Sequence, residues 1–306
     1  MKSFTFNKVY IVRSLDPNNT QLLAPGDLLY QQLNLQNVPC ELCDVSHGIV
    51  DFNQIMNKIV GDCVTKDIKP IIHFICHGAE PCQKYPNGAL ALWDDQEGAI
   101  IYAWDKILPY LEHINIVCKL NLFVSMCVCY GFYSLLHLLD ESHRIPFCGL
   151  LASPDPINLH CAIVGFARFY ESLIANKSTS TAIDDLQKSL MPLKNWYEQQ
   201  NIPMERFLVL FSDDLFTHAA KEDFQKNRSS IFKLWKLGLY IFKRIKNRNI
   251  RNHAIVAFIK ENYKKYPSLF KRMKDHKFML DIYPDQQERF DLPKDLKDLM
   301  KQNNPE

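Results

Sequence analysis

The sequence predicts an α/β fold, a mostly parallel sheet with helices on both faces, and two observations carry that expectation. Ile71 to Ile75 and Leu120 to Met126 are short apolar runs. Each closes on a reactive side chain and a glycine: His77-Gly78 after the first, Cys127 and then Gly131 after the second. Runs this short, bounded by glycine, read as strands buried on both faces. The second observation is the alternation of such runs with helical periodicity from Val9 to Ile75, the pattern of β-α-β units. In an open parallel sheet, reactive groups collect at the carboxyl ends of the strands, so a His at one end and a Cys at the next are expected to meet.

Taken in order, Val9 to Val12 reads as the first strand, Asp27 to Leu35 as a helix starting after Pro25-Gly26, and Cys40 to Val45 as the second strand. Asp51-Phe52-Asn53-Gln54 has the form of a capping box, with Phe52, Ile55, Met56, Ile59 and Cys63 at helical spacing behind it. Pro70 to Ile75 is the third strand. Asn87-Gly88 marks a turn, and Ala89 to Trp93 with Ala99 to Tyr102 flank a polar tip as a β-hairpin beside the expected site. Trp104 to Leu111 is expected as a helix and Asn115 to Met126 as the fourth strand. Phe132 to Leu139 reads as helical. Phe147 to Ala152 is the fifth strand, broken by Ser153-Pro154-Asp155-Pro156. Asn158 can cap a helix whose Leu159, Ala162, Ile163, Phe166, Phe169, Tyr170 and Leu173 form one apolar, core-facing stripe. A helix from Thr181 to Leu190, capped by Thr181, and a last strand from Arg206 to Phe211 complete the region.

The chemistry follows from the two strand ends. A cysteine attacks as the thiolate and needs a base or a favourable field, and His77 is the candidate base for Cys127. Helical N–H groups near Gly131 favour negative charge at the sulfur. Gly78 lets its own N–H approach a carbonyl closely, so Gly78 and the Cys127 N–H are the expected oxyanion hole. Cys129 is the alternative nucleophile. His73, on the same buried strand, is expected to be a satisfied core histidine. Asp155, and similarly Asp94 and Asp95, are candidates to accept a basic substrate side chain, although holding a turn is the stronger expectation for each. Cys76, His77, Cys127 and Cys129 are ligands that zinc takes. Cys76 and His77, however, are neighbours on a strand and leave on opposite faces. No metal and no other cofactor is expected.

These residues resemble the caspase pattern of a Cys with a His about 50 residues upstream, and more closely the caspase-like domains known as CHAT domains. The His motif there reads roughly His-Phe-x-x-His-Gly, matched by His73 to Gly78. The Cys motif reads roughly Leu-Ser-Ala-Cys-x-Thr-Gly, followed by Val124-Ser125-Met126-Cys127. Leu90 to Asp94, Gly165 to Leu173 and Thr181 to Leu186 resemble further segments, so the likeness spans residues 5 to 215. Cys129 and Tyr130 stand where the motif has Thr-Gly, and Gly131 comes one place late. The resemblance implies a caspase-like fold and a cysteine endopeptidase making regulated, specific cuts in a protein substrate. In bacteria such peptidases are commonly triggered antiphage effectors. The departure at Cys129-Tyr130 leaves a second expectation standing, a caspase-like scaffold with a dead site.

Composition is that of an ordinary globular protein, with ten scattered cysteines. The first eight residues lack the apolar core of a signal peptide, and free thiols in a reducing cytoplasm are the expectation. No apolar run is long enough to cross a bilayer, so no membrane partner is expected. The chain carries +2 overall, yet Ala219 to Lys277 holds 17 Lys and Arg against 4 Asp and Glu. Two regions are therefore expected: a peptidase domain over 1–215 and a basic α-helical regulatory or docking region over 216–306. A regulatory protein or nucleic acid is the expected partner of the second.

Overall fold

The computed structural model describes residues 5–139, 144–175, 178–191, 208–211 and 281–283. The chain divides into two compact units, Met1–Ser134 with Pro146–Val209, and Leu135–Ile145 with Leu210–Glu306. The first unit holds the described α-helices and the sheet as far as Val209. The expected basic helices lie outside the described residues.

The strands are β1 (Lys8–Ser14), β2 (Cys40–Asp44), β3 (Pro70–Ala79), β4 (Ala89–Asp94), β5 (Gly98–Ala103), β6 (Phe123–Cys127), β7 (Gly149–Ala152) and β8 (Leu208–Phe211). The helices are α1 (Thr20–Leu35), α2 (Gly48–Lys66), α3 (Trp104–Val117), α4 (Leu159–Ile174) and α5 (Thr179–Leu190), with a 3-10 segment over Gly131–Leu139. The sheet runs β2-β1-β3-β6-β7-β8, and the pairs β1–β2, β1–β3, β3–β6 and β6–β7 are parallel. The predicted α/β class, a mostly parallel sheet with helices, is what the chain forms.

The central strands are parallel because helices connect them, and they are apolar because both faces are covered. Along β3 the side chains alternate between two layers. Phe74 stacks on Phe52 of α2, ring centroids 6.2 Å apart, while His73 meets Phe166 and Tyr170 of α4. β3 outlasts β1 by three residues. There β4 takes over, pairing antiparallel as His77↔Ala91, Gly78↔Leu90 and Ala79↔Ala89. The amide of Trp93 donates to Ser14 Oγ at 2.7 Å, so β4 sits just past the end of β1. The predicted hairpin is present and is built on the strand that carries His77.

Several element limits differ from expectation, each for a local reason. α1 begins before Pro25, not after it, because Asn19 caps it by accepting from the Leu22 amide. α2 starts at Gly48. Asp51, inside its first turn, reaches back to the Ser46 and His47 amides. Asn115 belongs to α3 rather than to β6: its carbonyl accepts from the Leu120 amide and its side chain from the Leu122 amide. Lys119 and Leu120 take left-handed φ values of 55° and 60° to turn the chain into β6. α5 is capped by Ser178, which accepts from the Thr181 amide.

Candidate active site

His77 is exposed at the carboxyl end of β3, and Cys127 is the last residue of β6. The strands are in register with Ile75 opposite Cys127, so His77 lies two residues further along. With about 3.3 Å per residue and about 4.8 Å between strands, the two Cα atoms are roughly 8 Å apart. Alternation puts His73, Ile75 and His77 on one face of β3, and Ser125 and Cys127 on the same face of β6. The contacts of His73 identify that face as the one beneath α4. Cys127 is only 1% exposed there.

The opposite face carries Cys76 and Gly78. A Cβ built on Gly78 would collide with the carbonyl oxygen of Cys129 and come within 2.7 Å of Val128 Cγ1. Glycine is required here for close approach of two backbones, the end of β3 and the chain leaving β6. Cys76 is buried and its thiol is pushed up by that burial, with Cys129 near enough to add to the effect. Cys129 itself is half-buried. Its sulfur accepts from the Ile157 amide at 3.4 Å and lies 3.8 Å from the Ile157 carbonyl. The alternative nucleophile is thus tied to the loop after β7.

Tyr130 has a φ of 59°, the left-handed geometry a glycine there would favour. The Tyr130 amide donates to the Asp155 carbonyl at 3.3 Å and the Phe132 amide to the Ser153 carbonyl at 3.0 Å. Ser153-Pro154-Asp155-Pro156 therefore supports the cysteine turn through its backbone. Asp94 and Asp95 are placed differently. Asp94 Oδ1 accepts from the Gln96 and Glu97 amides, and Asp95 Oδ1 from Trp93 Nε1. Asp94 is three residues beyond Ala91, the partner of His77, or roughly 10 Å along β4. Both acids shape the hairpin tip.

His73 is a core residue, as expected, but its polar contacts are specific. Nδ1 lies 3.0 Å from Ser125 Oγ and 3.2 Å from the Tyr170 hydroxyl, all three residues being buried. Burial pulls its pKa down to about 3, so the ring is neutral. Tyr170, read from sequence as part of an apolar stripe, is therefore also a polar residue of this layer. Its signal was a hydroxyl at a helix position facing a strand that carries a histidine. Arg13 was also missed. It is the one charge between Val9 and Leu15, and its guanidinium holds Asp44 and Asp27 at the carboxyl end of β1. The Cys-x-x-Cys spacing at Cys40 and Cys43 lies on β2, where burial pushes the Cys43 thiol up to about 12. Among the described residues, no three His, Cys, Asp or Glu side chains gather as metal ligands would.

No protein-family model and no characterised protein matches the sequence. Among solved structures, the chain is similar to a secreted C11 cysteine protease from Bacteroides thetaiotaomicron in complex with an irreversible peptide inhibitor. The identity is 13% and the TM-score 0.46, over 85% of this chain and 82% of that one.

Proposed function

We propose that this chain is a caspase-like cysteine endopeptidase of the CHAT type, with Cys127 as nucleophile and His77 as its base. The register of β3 against β6 supports this reading. It sets the two residues two positions apart on adjacent strand ends and on one face, at the carboxyl edge of a parallel sheet. Cys129 is held by Ile157 instead. In the reaction, Cys127 Sγ attacks the peptide carbonyl. His77 accepts the thiol proton and passes it to the leaving amine, and water then releases the acyl group from sulfur. Gly78 and Cys127 N–H groups receive the oxyanion.

The burial of Cys127 bears on regulation. A thiol 1% exposed meets a substrate only after its covering residues move, in keeping with an enzyme that waits for a trigger. The same burial favours a second reading, a caspase-like scaffold without catalysis. Digestion of a proteome-derived peptide library, read by mass spectrometry, separates them. Cleavage at a narrow set of sites is expected from the full chain, lost in Cys127→Ala and His77→Ala and kept in Cys129→Ala. Loss in Cys129→Ala with retention in Cys127→Ala would move the nucleophile. Identical digests with and without Cys127 would leave the scaffold.

A further inference from the structure

The outer strand of the hairpin has an open edge. Among the described residues, the strand partner of β5 is β4 alone. No backbone group from Gly98 to Tyr102 bonds to a loop or to another described element. In an antiparallel pair, alternate residues turn both N–H and C=O toward the partner, and the residues between them turn both outward. None of the six residues of β5 is buried, whereas the first four of β4 are. The outward N–H and C=O groups of β5 therefore face solvent.

That edge is also unguarded. Edge strands are usually kept from pairing by a lysine, a proline or an inward charge. Gly98-Ala99-Ile100-Ile101-Tyr102-Ala103 has none of these. One face of the strand is fixed by α2. Tyr102 meets Phe52 edge-on, ring centroids 5.6 Å apart, and its hydroxyl donates to Asn53 Oδ1 at 3.3 Å. Ala99 and Ile101 lie on the other face and are exposed. The strand is thus held in place while its edge stays free.

Charge selects the kind of partner. The tip at the start of β5 carries Asp94, Asp95 and Glu97, and no Lys or Arg occurs between Lys84 and Lys106. At the other end Asp105 is met by Lys106 at 3.5 Å. A second copy pairing two-fold about Ile101 sets Glu97 opposite Asp105, and pairing about Ile100 sets Asp95 opposite Asp105. Like charges directly opposite disfavour both registers. We propose that β5 is a docking edge for an extended segment of a partner protein, which adds a strand to the hairpin and carries Lys or Arg at the end beside the tip. Its backbone supplies the affinity, and its basic residue sets the direction. The added strand is three strand spacings from β3, roughly 14 Å. Docking therefore leaves the carboxyl ends of β3 and β6 free, and it does not depend on which cysteine reacts there.

The test uses the full chain and a synthetic peptide, Lys-Arg-Thr-Val-Thr-Val-Thr-Arg-Lys, basic at both ends so that either strand direction sets a charge at the tip. Amide exchange read by NMR is expected to slow, on adding peptide, at every second residue from Gly98 to Ala103. Docking through side chains alone gives no such alternation. Proline at two adjacent central positions of the peptide removes a donor on either edge and is expected to abolish the effect. Exchanging the four basic residues for Glu is expected to weaken binding about tenfold, and Glu97→Lys in the protein to narrow that difference. Unchanged exchange along β5, protection confined to other elements, or equal binding of basic and acidic peptides overturns the proposal. Protection of β5 that grows with protein concentration without peptide, together with a doubled mass in solution, assigns the edge to a second copy and overturns it as well.

Discussion

At Gly78 a single absent side chain decides whether two strand ends can meet. An added Cβ meets the Cys129 carbonyl, which is backbone and cannot swing aside. Gly78→Ala is expected to cost about 1–3 kcal/mol through forced displacement, and to remove cleavage even where the protein remains folded, because the displaced segment carries Cys127. Gly61, in α2, is the control. A Cβ there meets nothing within 4 Å, so Gly61→Ala is expected to stabilise by about 0.5–1 kcal/mol. Thermal unfolding of the two variants checks the opposite signs, and equal effects would refute the close-approach argument. Gly78 was legible in the sequence because glycine directly after a candidate catalytic histidine has a chemical reason. Tyr130 was not: its left-handed backbone goes with bonds from the Tyr130 and Phe132 amides to the Asp155 and Ser153 carbonyls, partners more than twenty residues away in sequence.

At the scale of elements, α2 is fastened to β1 by one carboxylate. Asp62 accepts from Lys66 at 2.7 Å, Tyr10 at 2.7 Å and Lys58 at 3.1 Å. Lys66 above all, with Tyr10 and Lys58, outweighs burial and holds its pKa well below the usual carboxylate range. The folded value is depressed, so this stability is fully present above the unfolded value of about 3.9. It is lost as pH falls through the folded value, when the unfolded state binds the proton first. Urea unfolding at pH 7 and pH 3 is expected to show Asp62→Asn weaker than wild type by about 1–3 kcal/mol at the higher pH, with the gap narrowing at the lower. A constant gap would mean that packing, not charge, holds the pair. Periodicity located α2, but its start was misplaced by four residues: Asp51 has the residue type of a cap and instead reaches back from inside the helix to the Ser46 and His47 amides. Pro25 and Asn115 misled in the same way. Each is a breaker by type, and each is overridden by a cap or a side-chain bond that only the folded neighbourhood supplies.

Across the whole molecule, the carboxyl edge of the sheet is where the candidate site assembles, and Arg13 is its tie. Its guanidinium is bonded to Asp44 Oδ1 at 2.6 Å and Oδ2 at 3.0 Å, to Asp27 at 2.8 Å and to the Leu23 carbonyl at 2.8 Å. It thereby joins β1, β2 and α1. Apolar runs and their alternation were enough to foresee the parallel sheet and the neighbouring ends of β3 and β6. They could not foresee this tie, since a lone arginine in an apolar strand does not say which carboxylates reach it. The burial of the partners is unequal: 7% of the Arg13 side chain is exposed, against 47% for Asp27 and 52% for Asp44. That inequality predicts an asymmetry. In Arg13→Met both carboxylates can take up water again, so the loss is expected to stay near about 1–2 kcal/mol, below the usual cost of stranding a buried charge. In Asp44→Ala the guanidinium stays buried with one carboxylate, and a larger loss, about 2–4 kcal/mol, is expected. Arg13→Lys keeps the charge and loses the two-pronged contact, so it should fall near Arg13→Met rather than near wild type. Urea midpoints of the three variants order them. If Arg13→Met proves costlier than Asp44→Ala, the edge is held by the arginine stem packed against Gly26 and Ile75 rather than by its charge.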